Sequence, residues 1–321
     1  MSKQLDPDAQ VLLDVMRAVG APALHTLSVE QARAQARAAL RTRGQPLALH
    51  HVEDVSLPSP HGGLALRLYR PRPGVLPFAL FLHGGGWVLN DLDTHDRLCR
   101  RIALRSGWMI AALDYRRAPE HRYPAALEDA RFAYGWLLEH ADQLQGDATL
   151  TAAVGESAGG AIVAGLTMQL RDAGAPQPAF QALAYPSVDL PGRWPSHVER
   201  GTGYSLDSAL VQWSLEQYLP PDFDPADPYR DPYLFPIAAP DLSGLAPALV
   251  MTAEFDPMRD EGIAYAEGLA AAGVEVEHLH ADDQMHGFLM VDRAIPRAGE
   301  LIDRLADALA ARGRLAARAA G

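Results

Sequence analysis

The chain has a single cysteine, Cys99, among its 321 residues. One cysteine excludes an internal disulfide and a cysteine-based zinc site. The sequence also lacks any uninterrupted apolar run near the ~18 residues that a membrane span needs. Its first residues lack the apolar core of a signal peptide. From these absences we expect a soluble, cytoplasmic protein with no membrane partner.

Positive charge is scarce as well. Lysine and arginine together number 28 against 40 aspartates and glutamates, which leaves a net charge of −12 at pH 7. Because nucleic-acid binding depends on clustered basic side chains, we expect no nucleic-acid partner. Hydrophobic residues, in contrast, make up 48% of the chain, which is ordinary for a globular protein with a sizeable core.

Short apolar runs alternate with segments of helical periodicity along most of the chain. This alternation predicts an α/β fold with a mostly parallel central sheet, helices on both faces and functional sites at the carboxyl ends of the strands. Two regions break the alternation: a pair of helices before the first strand, and an insertion at about 187–244 that is rich in proline and aspartate. The predicted strands are 52–57, 64–69, 78–82, 108–113, 149–154, 180–184, 248–253 and 274–279; the predicted helices are about 8–20, 29–43, 94–106, 124–140, 157–173, 206–218, 258–272 and 298–312.

One turn between a predicted strand and an alanine-rich helix has the pattern Gly-x-Ser-x-Gly. Ser157 lies at its centre, between Gly155 and Gly159. On such a sharp turn the serine is held in a strained backbone conformation, and larger neighbours would collide with the strand and the helix. The pattern predicts a nucleophilic hydroxyl beside a helix N-terminus. A serine that merely caps a helix would have the same pattern, so further residues must decide.

A second glycine-rich segment, His83-Gly84-Gly85-Gly86, comes directly after an apolar strand. Because glycine has no side chain, the backbone N–H groups of this loop can turn toward a common point. We predict that the N–H groups of Gly84 and Gly85, together with that of Ala158, bind a developing oxyanion.

A candidate acid and a candidate base follow the last two predicted strands. Asp256 and His286 therefore lie at the same edge of the sheet as Ser157. In that arrangement His286 would take the proton of the Ser157 hydroxyl, and Asp256 would hold the imidazole in the required tautomer. Asp260 and Asp292 remain alternatives for the acid. The sequence thus predicts nucleophilic catalysis by a serine, a histidine and an aspartate.

Taken together, these motifs resemble the hormone-sensitive-lipase-like branch of the α/β hydrolases, also called bacterial family IV esterases. The resemblance implies an α/β-hydrolase fold and a serine carboxylesterase that acts on small, short-chain acyl esters, with no metal or cofactor. It also implies a helical cap, which we assign to residues 1–47 and 189–218, with 48–188 and 219–321 as the catalytic domain. The motifs that carry the resemblance are HGGGW at 83–87, DLDTHD at 91–96, DYRRAPEHRYPAA at 114–126, GESAGG at 155–160, DPMRDEG at 256–262 and HGF at 286–288.

Several residues around these motifs receive secondary predictions. Glu156 stands where the family usually has aspartate, and we expect it to support the loop rather than to react. Trp87, Tyr185 and Phe288 are predicted substrate contacts. The last predicted strand is a candidate sheet edge, through which relatives often pair, so a homodimer is an open alternative.

Other interpretations of single motifs are weaker. His278 and His280 lie on one face of a predicted strand, as metal ligands do, but no second cluster supports a metal site. An amidase or a deacetylase of a specific metabolite would use the same triad. A ligand-binding receptor on this fold would not need it, and the presence of His286 favours an enzyme.

Overall fold

A computed structural model describes residues 3–38 and 46–320, except for the side chains beyond residue 315. The strands in these ranges form one sheet in the order β1-β2-β4-β3-β5-β6-β7-β8, with β1 and β8 at its edges. β2 is antiparallel to both β1 and β4, and the remaining neighbours are parallel. The strands are β1 (His51–Ser59), β2 (Gly62–Arg70), β3 (Leu76–Leu82), β4 (Met109–Asp114), β5 (Gly146–Glu156), β6 (Phe180–Ala184), β7 (Ala248–Phe255) and β8 (Val276–Met285).

Helices cover both faces of this sheet, which confirms the predicted fold class. One face packs against α4, α5 and α8, and the other packs against α3 and α9. In the described ranges, no helix is both long enough and apolar enough to cross a bilayer. The helices are α1 (Pro7–Val19), α2 (Val29–Ala38), α3 (Leu92–Ser106), α4 (Ala125–Glu139), α5 (Ala158–Asp172), α6 (Ser196–Glu199), α7 (Ser208–Tyr218), α8 (Arg259–Ala271) and α9 (Pro296–Ala320).

The central strand β3 explains why the strands are apolar on both sides. Phe78 and Leu80 point into the core under α4 and α5, whereas Ala79 and Phe81 point into the core under α3 and α9. Successive side chains of a strand face opposite ways, so a strand covered on both faces needs no polar positions. Burying one such leucine or phenylalanine stabilises the fold by roughly 1.5–3 kcal/mol.

Several elements differ from their predicted extents; α9, for example, continues to Ala320 instead of ending at about residue 312. β8 continues to Met285, although residues 282–284 are polar, because an irregularity opposite Ala253–Phe255 of β7 accommodates extra residues before the strands pair again. α6 was not predicted, since four residues are too few to reveal a helical period. α2 begins as predicted, with Ser28 and Gln31 forming reciprocal cap hydrogen bonds, whereas residues 39–43 of the predicted helix lie outside the described ranges.

The two segments predicted to form a cap meet in the structure. The Arg17 guanidinium, on α1, donates a hydrogen bond of 2.9 Å to the carbonyl oxygen of Gly203 in the insertion. The boundaries of a cap domain, and a homodimer formed through the edge strand β8, stay predictions.

Candidate active site

Ser157 occupies the turn between β5 and α5 in a backbone conformation that side chains rarely adopt. Its φ is 55° and its ψ is −123°. A Cβ atom at Gly155 would collide with the carbonyl group of Gly159, and one at Gly159 would collide with the carbonyl oxygen of Leu82. The two flanking glycines are therefore needed for the turn to close, as the motif predicted.

A continuous line of hydrogen-bonding contacts joins Ser157, His286 and Asp256. The Ser157 Oγ atom lies 2.9 Å from His286 Nε2, and His286 Nδ1 lies 2.7 Å from Asp256 Oδ2. The other carboxylate oxygen of Asp256 accepts the backbone N–H of Met258 at 2.8 Å. Because a carboxylate only accepts, Nδ1 carries the proton and Nε2 is left to accept the serine hydroxyl. The three side chains meet as the sequence predicted.

The electrostatics of this line favour a basic imidazole. Burial alone would lower the pKa of His286, but the Asp256 carboxylate, with Glu156 and Glu261 further away, raises that pKa above its usual value of 6.5. Asp256 is fully buried, so solvent does not screen its charge from the imidazole. The site therefore stabilises the imidazolium that forms when the histidine accepts a proton.

The alternative acids are engaged elsewhere. Asp260 pairs with Arg259 at 2.7 Å and accepts the backbone N–H of Ser196. Asp292 pairs with Arg97 and Arg101 at 2.9 and 3.0 Å. Of the three candidates, only Asp256 contacts His286.

The glycine loop corrects one prediction. The N–H group of Gly84 does not face the cavity; it donates to Glu156 Oε1 at 2.6 Å. The N–H groups of Gly85, Gly86 and Ala158 have no acceptor in the part of the chain that the structure describes, and all three residues line the cavity beside Ser157. The donors available to an oxyanion are thus shifted by one residue along the loop.

Glu156 fixes the base of that loop. Its Oε1 atom also lies 2.7 Å from His95 Nε2, and both side chains are buried. Burial would raise the pKa of Glu156, but the His95 imidazole and the Gly84 N–H together hold it below its usual value. The carboxylate therefore stays ionised and ties α3 to the loop, as expected of a supporting residue.

A cavity of about 190 Å³ opens above Ser157. Both segments predicted as cap contribute to its wall, with Leu24 and Ala36 from the first and Leu206, Leu210 and Val211 from the second. The sequence could not assign these residues to the wall, because they belong to no motif and approach the site only through the tertiary fold.

The three predicted substrate contacts have different positions. Trp87 lines the cavity and stacks on Tyr218 of α7, with ring centroids 4.3 Å apart. Tyr185 and Phe288 are buried and are absent from the cavity wall. The Tyr185 ring lies against His286, at 4.7 Å between centroids, and Phe288 packs edge-on against Tyr185. Tyr185 thus packs against the histidine and Phe288 packs against Tyr185, so neither is a substrate contact as predicted.

The two histidines considered as metal ligands, and the single cysteine, lie apart from this chemistry. His278 and His280 each lie 2.9 Å from the Thr252 hydroxyl. Within the described ranges, no group of three or more histidine, cysteine or acidic side chains is arranged to hold a metal ion. Cys99 is buried in α3, and burial raises the pKa of its thiol, which disfavours the nucleophilic thiolate.

Known proteins resemble this chain along most of its length. A family model described as the alpha/beta hydrolase fold matches residues 79–290. The carboxylic ester hydrolase LipN of Mycobacterium tuberculosis is 42% identical over 293 residues, which cover 89% of this chain and 77% of that protein. The chain belongs to the hormone-sensitive-lipase-like esterases of the α/β-hydrolase superfamily.

Other hormone-sensitive-lipase-like esterases are similar to this chain in length and structure. The ethyl acetate hydrolase of Pseudomonas putida is 36% identical, over 95% of this chain and 98% of that protein. An ester hydrolase from the metagenome of Lake Arreo, solved with a phosphonate derivative, superimposes with a TM-score of 0.91 at 36% identity and covers 96% of this chain and 99% of that one. As a member of this family, the protein is an ester hydrolase.

Proposed function

We propose that the protein is a serine carboxylesterase that hydrolyses short-chain acyl esters through an acyl-enzyme on Ser157. The observation that carries the proposal is the line of contacts from Ser157 through His286 to Asp256, with distances of 2.9 and 2.7 Å, at the floor of a cavity. A serine hydroxyl is a poor nucleophile until such a base takes its proton.

In the first half of the reaction, the Ser157 hydroxyl oxygen attacks the ester carbonyl carbon while His286 Nε2 accepts the proton. The negative charge that develops on the carbonyl oxygen is bound by the N–H groups of Gly85, Gly86 and Ala158, which have no acceptor of their own in the described chain. His286 then donates its proton to the leaving alcohol. Asp256 keeps the imidazole oriented and stabilises its charged form throughout.

In the second half, a water molecule gives a proton to His286 and attacks the acyl-enzyme. The acid is released, and the proton returns to Ser157. The same N–H donors and the same buried carboxylate serve both halves.

The preference for short chains rests on the size of the cavity. About 190 Å³ is less than the roughly 300–1,000 Å³ of pockets that hold drug-sized ligands. The ethyl acetate hydrolase among its relatives supports a small acyl group as well. Residues 1–47 and 189–218 form the cap in this proposal, since side chains from both segments close the wall.

Substitution of the nucleophile tests the proposal. We expect Ser157→Ala to lower kcat for 4-nitrophenyl butyrate by about 10⁴-fold or more, given the usual cost of losing a triad member, with an unchanged circular dichroism spectrum. Ser243→Ala, at an exposed serine outside the site, is the matched control. A Ser157→Ala enzyme that keeps more than about a thousandth of the wild-type activity would overturn the assignment.

A further inference from the structure

Besides Glu156 and the Trp87 indole, three polar side chains in the cavity wall have no part in the proposed mechanism. They are Ser187, Ser214 and Asn90, and they stand among mostly apolar neighbours such as Leu89 and Leu210. Polar groups are few in ligand cavities and usually fix the orientation of what binds there. Their positions relative to the reacting atoms therefore bear on the substrate.

Ser214 presents a hydroxyl that has no partner among the residues that the structure describes. Buried serine and threonine side chains within helices commonly bond to a carbonyl oxygen in the preceding turn, as Thr167 does with Ala164 at 3.0 Å. In the described part of the chain, Ser214 Oγ forms no such bond, although the residue is buried on α7. A Cβ atom at Gly86 would collide with this same oxygen. The hydroxyl therefore lies directly against Gly86, one of the three residues whose N–H groups are proposed to bind the oxyanion.

Ser187 presents a second such hydroxyl on the side of the nucleophile. Its backbone N–H donates to the carbonyl oxygen of Ser157 at 3.3 Å, which holds the two residues together. The residue is buried, lines the cavity, and its Oγ atom has no partner among residues 3–38 and 46–320. Both hydroxyls thus belong to residues next to the reacting centre: Ser187 is joined to Ser157 through the backbone, and the Ser214 oxygen lies against Gly86.

Asn90 adds an acceptor to the same wall. Its side-chain Nδ2 donates to the carbonyl oxygen of Gly84 at 3.3 Å. That bond fixes the amide group, and its Oδ1 atom receives no donor from the described residues. The wall near the glycine loop therefore offers an oriented amide oxygen as well as hydroxyls.

An ester bound for attack occupies the cavity that these groups line. Its carbonyl oxygen lies at the N–H groups of Gly85, Gly86 and Ala158, and its carbonyl carbon lies at Ser157 Oγ, so its acyl and alcohol substituents extend along the adjoining wall. A purely apolar substituent would displace water from the hydroxyls and leave them unpaired, which costs free energy. A substituent with its own hydroxyl or carbonyl group would replace the lost hydrogen bonds.

We propose that the cavity selects short esters that carry a hydroxyl or carbonyl group on the carbon atoms nearest the ester, recognised by Ser214 and Ser187. Asn90 is the further acceptor for a substrate hydroxyl. This inference rests on the proposed esterase function and adds the substrate class to it.

Matched pairs of esters test the selection on each side of the scissile bond. On the acyl side we compare ethyl 3-hydroxybutanoate with ethyl 3-methylbutanoate, and on the alcohol side 2-hydroxyethyl acetate with propyl acetate. The members of each pair have nearly the same shape. We expect kcat/KM of the wild-type enzyme to favour the hydroxylated ester about tenfold in at least one pair, the effect of one satisfied buried hydrogen bond.

Removal of the hydroxyls identifies the residues responsible. In Ser214→Ala, Ser187→Ala or the double variant, we expect this preference to fall to about twofold or less, mainly through lower kcat/KM for the hydroxylated ester. Ser208→Ala is the matched control, because Ser208 is also on α7 but its hydroxyl bonds to the carbonyl oxygen of His197, and the residue does not line the cavity.

Two results would overturn the inference. One is equal kcat/KM for both members of both pairs in the wild-type enzyme, and the other is a preference that persists in the double variant. Neither would affect the esterase proposal, which fails separately if no ester is hydrolysed or if Ser157→Ala stays active.

Discussion

Two buried carboxylate–imidazole pairs lie beside the same cavity and have the same contact distance. Asp256 contacts His286 at 2.7 Å, and Glu156 contacts His95 at 2.7 Å. They differ in what the second ring nitrogen of each histidine faces. His286 Nε2 faces the Ser157 hydroxyl, whereas His95 Nδ1 faces the Thr94 hydroxyl, within α3.

The comparison shows that a buried acid and histidine do not by themselves make a catalytic pair. The Asp256 pair ends at a hydroxyl on the cavity floor, where a proton can pass to and from a substrate. The Glu156 pair ends inside the protein, and its carboxylate also holds the N–H of Gly84. In the proposed mechanism, the same kind of pair thus serves proton transfer in one place, and in the other it supports the loop.

The two pairs should differ most in how much kcat falls when the carboxylate of each is replaced by its amide. We expect Asp256→Asn to lower kcat by about 10⁴-fold, because an amide can hold the imidazole in the wrong tautomer and does not stabilise its charged form. Steady-state kinetics on 4-nitrophenyl butyrate measure this loss. Asp260→Asn, in the same motif, is the control and should keep activity within about threefold. Activity of Asp256→Asn within about tenfold of wild type would remove Asp256 from the triad.

A smaller effect on catalysis is expected for Glu156→Gln. The glutamine retains a carbonyl oxygen for the Gly84 N–H, so we expect kcat within about tenfold of wild type. Losing the charge from its hydrogen bonds should lower the free energy of unfolding by about 1–3 kcal/mol, measured by urea denaturation. A loss of kcat as large as that of Asp256→Asn, in a folded enzyme, would mean that Glu156 takes part in proton transfer.

The smallest effect is a shift in pH dependence. His286 must be neutral to act as a base. Burial alone would lower its pKa, but the Asp256 carboxylate raises the pKa above 6.5. We therefore expect kcat/KM to rise with pH through a midpoint above 6.5. Because the Glu156 charge adds to this rise, Glu156→Gln should move the midpoint to lower pH. A midpoint that is unchanged in Glu156→Gln, or that lies below 6 in the wild type, would contradict this electrostatic account.

The sequence was sufficient to predict the fold class and the three residues that meet at the cavity floor. Each depends on a local pattern: apolar strands alternating with helices, glycines around Ser157, and an acid and a base just after successive strands. Parallel strands bring their carboxyl ends to one edge, so order along the chain becomes proximity in space.

The errors concern side-chain partners that the chain order does not determine. The Gly84 N–H was predicted to face an oxyanion, but it donates a hydrogen bond to the carboxylate of Glu156, 72 residues further along the chain. Tyr185 follows a strand end like the proposed catalytic residues, yet its ring packs against His286 and does not line the cavity. Ser214 received no prediction, because it belongs to the insertion, which has no motif. In each case the contacts of the side chain or N–H group depend on tertiary packing, which the order of residues along the chain does not reveal.

Covalent labelling tests the central claim most directly. A fluorophosphonate reacts with a serine that a neighbouring base has activated. After incubation and proteolysis, mass spectrometry of the wild-type enzyme should find one adduct, on the peptide that contains Ser157, and the extent of labelling should match the loss of esterase activity. An adduct on a different serine, or full inhibition with Ser157 unmodified, would contradict the account.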